Sequence, residues 1–369
     1  MWEGILSRVA QRATSPAGYS AILFSDQNKA RQRGGMSRMR KNRNIWLDGV
    51  MGVIVGDALG CPVQFRSRGE IGADPVTGMR GHGTYDMPVG TWTDDGSMTL
   101  ASMDSIRENA GINPENIMYR FVCWLTMGEY TPFGESFDIG NGTLMAIKKY
   151  IRHPNISTCG GTGARDNGNG SLMRILPVCL YCCEQQAAGA MSDEEAVRYI
   201  HLLSGLTHNH MRAKIACGLY FFLTRAVLRK EGTLAEKLQQ GIDDGFAFYE
   251  RQNSMERELG FYRRLRDLAQ FASLERNAIR SSGYVVDSLE AAVWCLLQTD
   301  TFRDALLTAV NLGEDTDTVG AICGGLVGLQ YGYTGMPEEW LSVIQRREWI
   351  EELCQGMAKE TAPTGKVKC

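Results

Sequence analysis

Asn311-Leu312-Gly313-Glu314-Asp315-Thr316-Asp317-Thr318-Val319-Gly320 joins two apolar segments through an acidic turn. The segment before it decides the fold class. From Phe302 to Val310 apolar residues recur at helical spacing, and Leu306 to Leu312 reads as helix rather than as an apolar strand. The segment after it, Val319 to Tyr331, is helical too and carries Gly320, Gly324, Gly325 and Gly328. Asp315 and Asp317 stand two apart. Within a helix they would face away from each other; in a turn leading to an N-cap both can face one ion.

The same reading extends outward. Val285 to Leu297 is apolar nearly all round and is expected to be a central helix. Near the other end, Trp46, Leu47, Val50, Met51, Ile54, Val55 and Leu59 recur at helical spacing, interleaved with Gly49, Gly52, Gly56 and Gly60. A glycine costs a helix about 1 kcal/mol relative to alanine, so several together predict close approach by another helix backbone. Helical patterns also cover Ile117 to Trp124, Leu144 to Ile151, 192–207, 211–229 and the charged stretch 233–275. Strand-like alternation is scarce. The expectation is an all-α protein: one compact multi-helix domain over 44–357, a flexible basic arm over 1–43 and a frayed tail over 358–369.

The 369 residues are 44% hydrophobic and 22% charged, ordinary for a globular chain with a large core. The net charge of −3 argues against general nucleic-acid binding. Residues 1–43 carry nine Lys/Arg against Glu3 and Asp26, a surplus of +7 that leaves −10 for the rest. A second reading has that arm touching RNA or anionic lipid. Cys179, Cys217, Cys295 and Cys323 sit among apolar residues and read as buried thiols of a cytoplasmic protein. Cys179-Leu180-Tyr181-Cys182-Cys183 holds a CxxC with no second one, in an apolar helical run, which disfavours zinc. No apolar run is expected to approach the roughly 20 residues of a membrane span. Val50 to Leu59, interrupted by Asp57, and Ala321 to Leu329 come nearest.

A second acidic cluster, Thr93-Asp94-Asp95, lies inside Gly90-Thr91-Trp92-Thr93-Asp94-Asp95-Gly96-Ser97 and opens a helix through Ile106. An N-cap needs one such residue; two aspartates and a threonine exceed that need. Four aspartates brought together would oppose one another's ionisation, and two divalent cations would cancel the charge. The clusters therefore read as halves of one dinuclear site with oxygen ligands, suited to Mg²⁺ or Mn²⁺ rather than zinc or copper. Asp57, in Gly56-Asp57-Ala58-Leu59-Gly60, has two readings: a hydrogen-bonded structural acid, or an acid near the metals.

Gly160-Gly161-Thr162-Gly163-Ala164-Arg165-Asp166-Asn167-Gly168-Asn169-Gly170-Ser171 is a glycine-rich loop expected to run into a helix from Leu172 to Cys183. Backbone N–H groups at such a junction can hold a phosphate or diphosphate. The loop is neither a Walker A motif nor a G-x-G-x-x-G after a strand. Asp166 is placed to face whatever the loop holds. In Thr207-His208-Asn209-His210 no third His or Cys completes a metal pattern, so a positioning or packing role is expected.

Taken in order, five motifs resemble the ADP-ribosylglycohydrolase family. They are Gly56-Asp57-Ala58-Leu59-Gly60, Thr93-Asp94-Asp95, Gly168-Asn169-Gly170-Ser171-Leu172-Met173-Arg174, Leu206-Thr207-His208, and Asn311-Leu312-Gly313 leading into Asp315-Thr316-Asp317-Thr318. That family includes the dinitrogenase reductase-activating glycohydrolases and the ADP-ribosylarginine and ADP-ribosylserine hydrolases. The resemblance implies an all-α fold with a dinuclear Mg²⁺/Mn²⁺ centre. It implies Thr93, Asp94, Asp95, Asp315, Asp317 and Thr318 as metal ligands. It implies that Asp166, Asn169, Gly170 and Ser171 line the ADP-ribose pocket, with Asp166 a candidate acid/base and His208 helping to position the substrate. Asp57, Gln64 and Gly168 are counted with the substrate-binding residues, and Asp95 is the other candidate acid/base. One departure stands out: members often have a glutamate beside the metals at the place of Gln64, and glutamine cannot act as a base.

The reaction so implied is hydrolysis at C1″ of ADP-ribose attached to a protein side chain or a small adduct, away from any membrane. Two rivals remain. Asp315-Thr316-Asp317-Thr318-Val319 fits the D-x-D-x-[TV] pattern of haloacid dehalogenase-type phosphatases, a metal-dependent phosphohydrolase that needs a strand before the motif. A non-catalytic ADP-ribose-binding relative would fit Gln64.

Overall fold

The computed structural model describes residues 43–252 and 255–360, with side chains through 357. The expected arm up to residue 42 and the tail beyond 360 lie outside the described residues. Helices of nine residues or more are Ile45–Gly60 (α1), Asp94–Glu108 (α2), Pro114–Met127 (α3), Asn141–Arg152 (α4), Leu176–Ala187 (α5) and Asp193–Gly205 (α6). They continue with Met211–Arg229 (α7), Leu234–Glu250 (α8), Val285–Leu297 (α9), Phe302–Val310 (α10), Thr316–Tyr331 (α11) and Arg347–Glu360 (α12). No strand occurs among the described residues, only three isolated bridges. The protein is all-α.

The interleaved glycines have the reason anticipated for them, and their partner is the second glycine-rich helix. A Cβ on Gly52 would lie 2.1 Å from the Gly324 carbonyl oxygen, and one on Gly56 would lie 2.0 Å from that of Gly320. A Cβ on Gly60 would lie 2.4 Å from the Asp317 nitrogen. The pairings run antiparallel, so α1 and α11 cross with backbones in contact. The C-terminal end of α1 is thereby set against the N-terminal end of α11, where the second acidic cluster lies. Every residue of α1 except Leu47 is buried.

Some boundaries differ from expectation. The helix after the glycine-rich loop starts at Leu176, not Leu172, and Pro177 lies in its first turn. Leu172 to Ile175 form tight turns instead, such as Leu172 N–H to Asn169 O at 2.7 Å. The glycine-rich loop therefore does not meet a helix N-terminus directly. The charged stretch resolves into α8 and short pieces, Glu256–Leu259, Gly260–Arg266 and Leu268–Ala272. Arg43, counted with the arm, belongs to the fold: its guanidinium donates to the carbonyls of Gly328, Leu329 and Gln330 at the end of α11. Contrary to expectation, Ile45–Val63 is long and apolar enough to cross a membrane, but 94% of the apolar window is buried inside the protein. The described cysteines are buried free thiols.

Candidate active site

Two helix N-termini meet where α1 ends. Thr93 caps α2, its hydroxyl accepting the Asp95 N–H, and α11 starts at Thr316 directly after Asp315. Carboxylates are favoured at helix N-termini by the aligned peptide dipoles. Asp57, near the end of α1, accepts the N–H groups of Thr93 at 2.9 Å and Gly96 at 2.8 Å. The Thr316 hydroxyl donates to the Gly60 carbonyl at 2.8 Å. One end of α1 thus holds both acidic turns.

The two clusters meet on Asp95. Its Oδ2 lies 3.4 Å from the hydroxyls of both Thr93 and Thr318. Its Oδ1 and both carboxylate oxygens of Asp317 are buried without a partner among the described residues. Burial pushes the Asp94, Asp95, Asp315 and Asp317 carboxyls up, and repulsion from neighbouring carboxylates adds to this. Among the described residues no group of three or more His, Cys, Asp or Glu side chains stands ready-made around an ion. The donor set still fits one: buried, unpartnered carboxylate oxygens facing one another need either protons or cations.

A further carboxylate escaped the sequence reading. Asp138 precedes α4 in the left-handed region, with φ at 55°. The Tyr85 hydroxyl donates to its Oδ1, and its Oδ2 is buried without a partner. Its charge helps to raise the carboxyls of Asp94 and Asp317. The only signal in the sequence was a lone acid between Phe137 and Ile139, ahead of Gly140-Asn141-Gly142.

The segment carrying Gln64 is clipped to the second acidic turn. Phe65 N–H donates to Glu314 O at 2.7 Å, and Glu314 N–H donates to Arg66 O at 2.8 Å. The Gln64 side chain is buried, with its Oε1 unpartnered. On the other side, Gly168 bridges to Tyr284. Asn169 donates to the Asp315 carboxylate at 2.6 Å and to Ser288 Oγ at 2.9 Å. The glycine-rich loop and the acidic turn are therefore one assembly, with the half-buried Tyr284 ring beside it.

Three expected site residues point elsewhere. Asp57 has its carboxylate on the Thr93 and Gly96 amides, so it holds the turn that presents Asp94 and Asp95. The Ser171 hydroxyl is fully buried and pairs with Ser204 Oγ at 2.9 Å, away from the loop's open side. Asp166 is exposed and accepts the Gly163 N–H at 2.8 Å within its own turn, so it is not one of the converging carboxylates. The two histidines diverge: His210 caps α7, while His208 is buried with its Nε2 facing the glycine-rich loop.

The family model described as ADP-ribosylglycohydrolase matches residues 40–366. The chain belongs to the ADP-ribosylglycohydrolase family. It is 31% identical over 307 residues to the ADP-ribosylarginine hydrolase Tri1 of Serratia proteamaculans, covering 83% of this chain and 76% of that one. It is 29% identical to the ADP-ribosyl-[dinitrogen reductase] glycohydrolase of Rhodospirillum rubrum, covering 82% of this chain and 90% of that one. A solved ADP-ribosylglycohydrolase-related protein complex superimposes with a TM-score of 0.70 at 27% identity, covering 86% of this chain and 98% of that one. This ADP-ribosylglycohydrolase is accordingly an enzyme of glycosidic-bond hydrolysis. The phosphatase reading falls on its own structural requirement, because helix α10 and not a strand precedes Asp315-Thr316-Asp317.

Proposed function

We propose that this ADP-ribosylglycohydrolase removes ADP-ribose from arginine side chains of modified proteins, using two Mg²⁺ or Mn²⁺ ions. The observation that carries the reading is the convergence of the buried Asp94, Asp95 and Asp317 with the half-buried Asp138 and Asp315, with carboxylate oxygens of Asp95, Asp138 and Asp317 left unpartnered among the described residues. Two relatives, at 31% and 32% identity, are named ADP-ribosylarginine hydrolases, which supports the linkage.

Thr93, Asp94, Asp95, Asp315, Asp317 and Thr318 would hold the ions, an all-oxygen set suited to hard cations. Bound there, divalent cations supply Lewis acidity for charge developing on the ribose and on water. Asp138 is the general base. Asp95 is assigned to the ions and Asp166 lies at the surface, whereas Asp138 is outside that ligand set, keeps an unpartnered Oδ2 and acts electrostatically on Asp94 and Asp317. It takes the proton of the attacking water as the new C1″–O bond forms. The C1″–N bond breaks, and the proton taken by Asp138 is passed on to the departing guanidine nitrogen, which restores the carboxylate. Asn169 and the glycine-rich loop position ADP-ribose, and Tyr284 offers a ring face to the adenine. The buried free thiols support a reducing, cytoplasmic setting.

The test is release of ADP-ribose from arginine-linked and serine-linked proteins with Mg²⁺, Mn²⁺ or EDTA, beside an Asp317→Ala control. Cation-dependent release from the arginine linkage alone is the expected result. Equal release in EDTA, or an active Asp317→Ala variant, would sink the assignment. Gln64 supports one other reading, a relative that binds without turnover. Tight ADP-ribose binding with no release, and release regained by Gln64→Glu, would establish that reading.

A further inference from the structure

Arg174 is fully buried and has no carboxylate partner among the described residues. A guanidinium removed from water without a counter-charge is costly, so its contacts need a purpose. Its plane lies over the Phe121 ring, 4.5 Å from the centroid. Its Nη2 donates to Thr207 Oγ1 at 2.9 Å and to the Leu203 carbonyl at 3.3 Å. Thr207 Oγ1 in turn lies 2.9 Å from His208 Nδ1.

Hydrogen-bond polarity follows from which groups can accept. A guanidinium only donates, so Thr207 Oγ1 is an acceptor toward Arg174. The threonine hydrogen is then free to point at His208 Nδ1, and that arrangement satisfies it; with the hydrogen on Nδ1 instead, the Thr207 hydroxyl hydrogen would have no acceptor among the hydrogen bonds of the described residues. An imidazole that accepts at Nδ1 carries its hydrogen on Nε2. That nitrogen is aimed at three glycines: a Cβ on Gly142, Gly168 or Gly170 would lie 3.0, 3.3 or 3.5 Å from it. Any side chain there would close the space in front of Nε2.

We infer that Arg174 and Thr207 are positioning residues that fix the His208 ring with its Nε2 hydrogen directed at the glycine-rich loop. His208 then serves as a hydrogen-bond donor to an oxygen of the bound substrate, a ribose hydroxyl or a phosphate, and not as a base. Its basicity agrees with this: burial, and next the Arg174 charge, push the imidazole down to about 4, while Asp166 opposes them. The titratable groups acting on the ring are thus Arg174 and Asp166. The placement of substrate oxygens rests on the reading of this loop as part of the ADP-ribose pocket; the tautomer does not.

The experiment uses the full-length chain. Nitrogen–proton correlation spectra of the imidazole rings, with His208 assigned through a His208→Gln variant, report the tautomer without ligand. The Nε2–H form is expected in the wild type and in Thr207→Ser, and it is expected to be lost or mixed in Thr207→Val, which keeps the shape and removes the hydroxyl. Titration with ADP-ribose and Mn²⁺ should show binding weakened roughly tenfold in Thr207→Val and retained in Thr207→Ser. An Nδ1–H tautomer in the wild type overturns the inference, as does a Thr207→Val variant with unchanged tautomer and affinity. A wild type with the Nε2–H tautomer but no affinity for ADP-ribose would leave the relay standing and refute the pocket.

Discussion

Asp57 holds Thr93 by its backbone: both carboxylate oxygens lie within 3.0 Å of the Thr93 nitrogen, and one also accepts the Gly96 N–H. A fully buried acid on α1 thereby shapes the turn that presents Asp94 and Asp95. In Asp57→Asn one oxygen becomes an NH₂ group facing N–H donors. Leaving such buried donors without an acceptor costs about 1–3 kcal/mol. Denaturant unfolding should register that loss, and calorimetric Mn²⁺ titration should show at least roughly tenfold weaker binding. Unchanged cation affinity would show that the turn holds its own shape.

The acidic cluster makes the metal-free protein sensitive to alkali. Burial first, then neighbouring carboxylates, raises the Asp94, Asp95 and Asp317 carboxyls, and burial raises Asp57 to about 7. A raised folded value means that the folded state keeps protons which the unfolded chain has already released. The stabilising contribution is full below the unfolded carboxyl range near about pH 4 and is lost as pH rises through the folded values. In EDTA, the melting temperature should therefore fall between about pH 5.5 and about pH 8. Added Mg²⁺ or Mn²⁺ should raise it most at the upper end, because a ligand that binds only the folded state stabilises it. A profile flat in pH and indifferent to cations would contradict this.

Asp138→Asn should separate chemistry from cation binding. Removing the base should lower kcat by about 10²–10⁴-fold. Removing its charge also relieves repulsion on Asp94 and Asp317, so the metal-free variant should melt at a higher temperature than the wild type. A drop in kcat with a drop in melting temperature would point to a structural role instead.

The crossing of α1 and α11 predicts a severe effect from one methyl group. A Cβ in Gly56→Ala would lie 2.0 Å from a backbone oxygen of Gly320, which no side-chain movement can relieve. The cost should be about 3 kcal/mol or more. Gly72→Ala is the contrast: the position is exposed and helical, and its Cβ would meet nothing within 4 Å. That substitution should be neutral or stabilising by up to about 1 kcal/mol. Unfolding curves of the two variants decide the matter.

Much of the fold was legible because helices announce themselves locally. Val285–Leu297 and Phe302–Val310 have the bounds their apolar spacing suggests. The start of α5 was misplaced because Leu172 to Ile175 are apolar yet turn on the Asn169 carbonyl, a preference their side chains do not show. The glycines of α1 signalled a close approach, and their spacing matches that of the glycines of α11, which lets the two helices meet. The acidic turns were visible for a similar reason: two carboxylates beside a hydroxyl exceed what a helix cap requires.

What the sequence determined by itself is therefore what neighbouring residues determine: helical periodicity, the need for backbone contact at glycines, and acidic turns at helix starts. Tertiary structure alone decided which carboxylates converge. Asp57 turned to the Thr93 amide, Ser171 to Ser204 and Asp166 to its own loop, while Asp138 came in from a stretch with no motif. The reason is physical. Periodicity is set by geometry along the chain, whereas desolvation and Coulomb repulsion depend on distances through space, and those exist only once α1 and α11 have crossed.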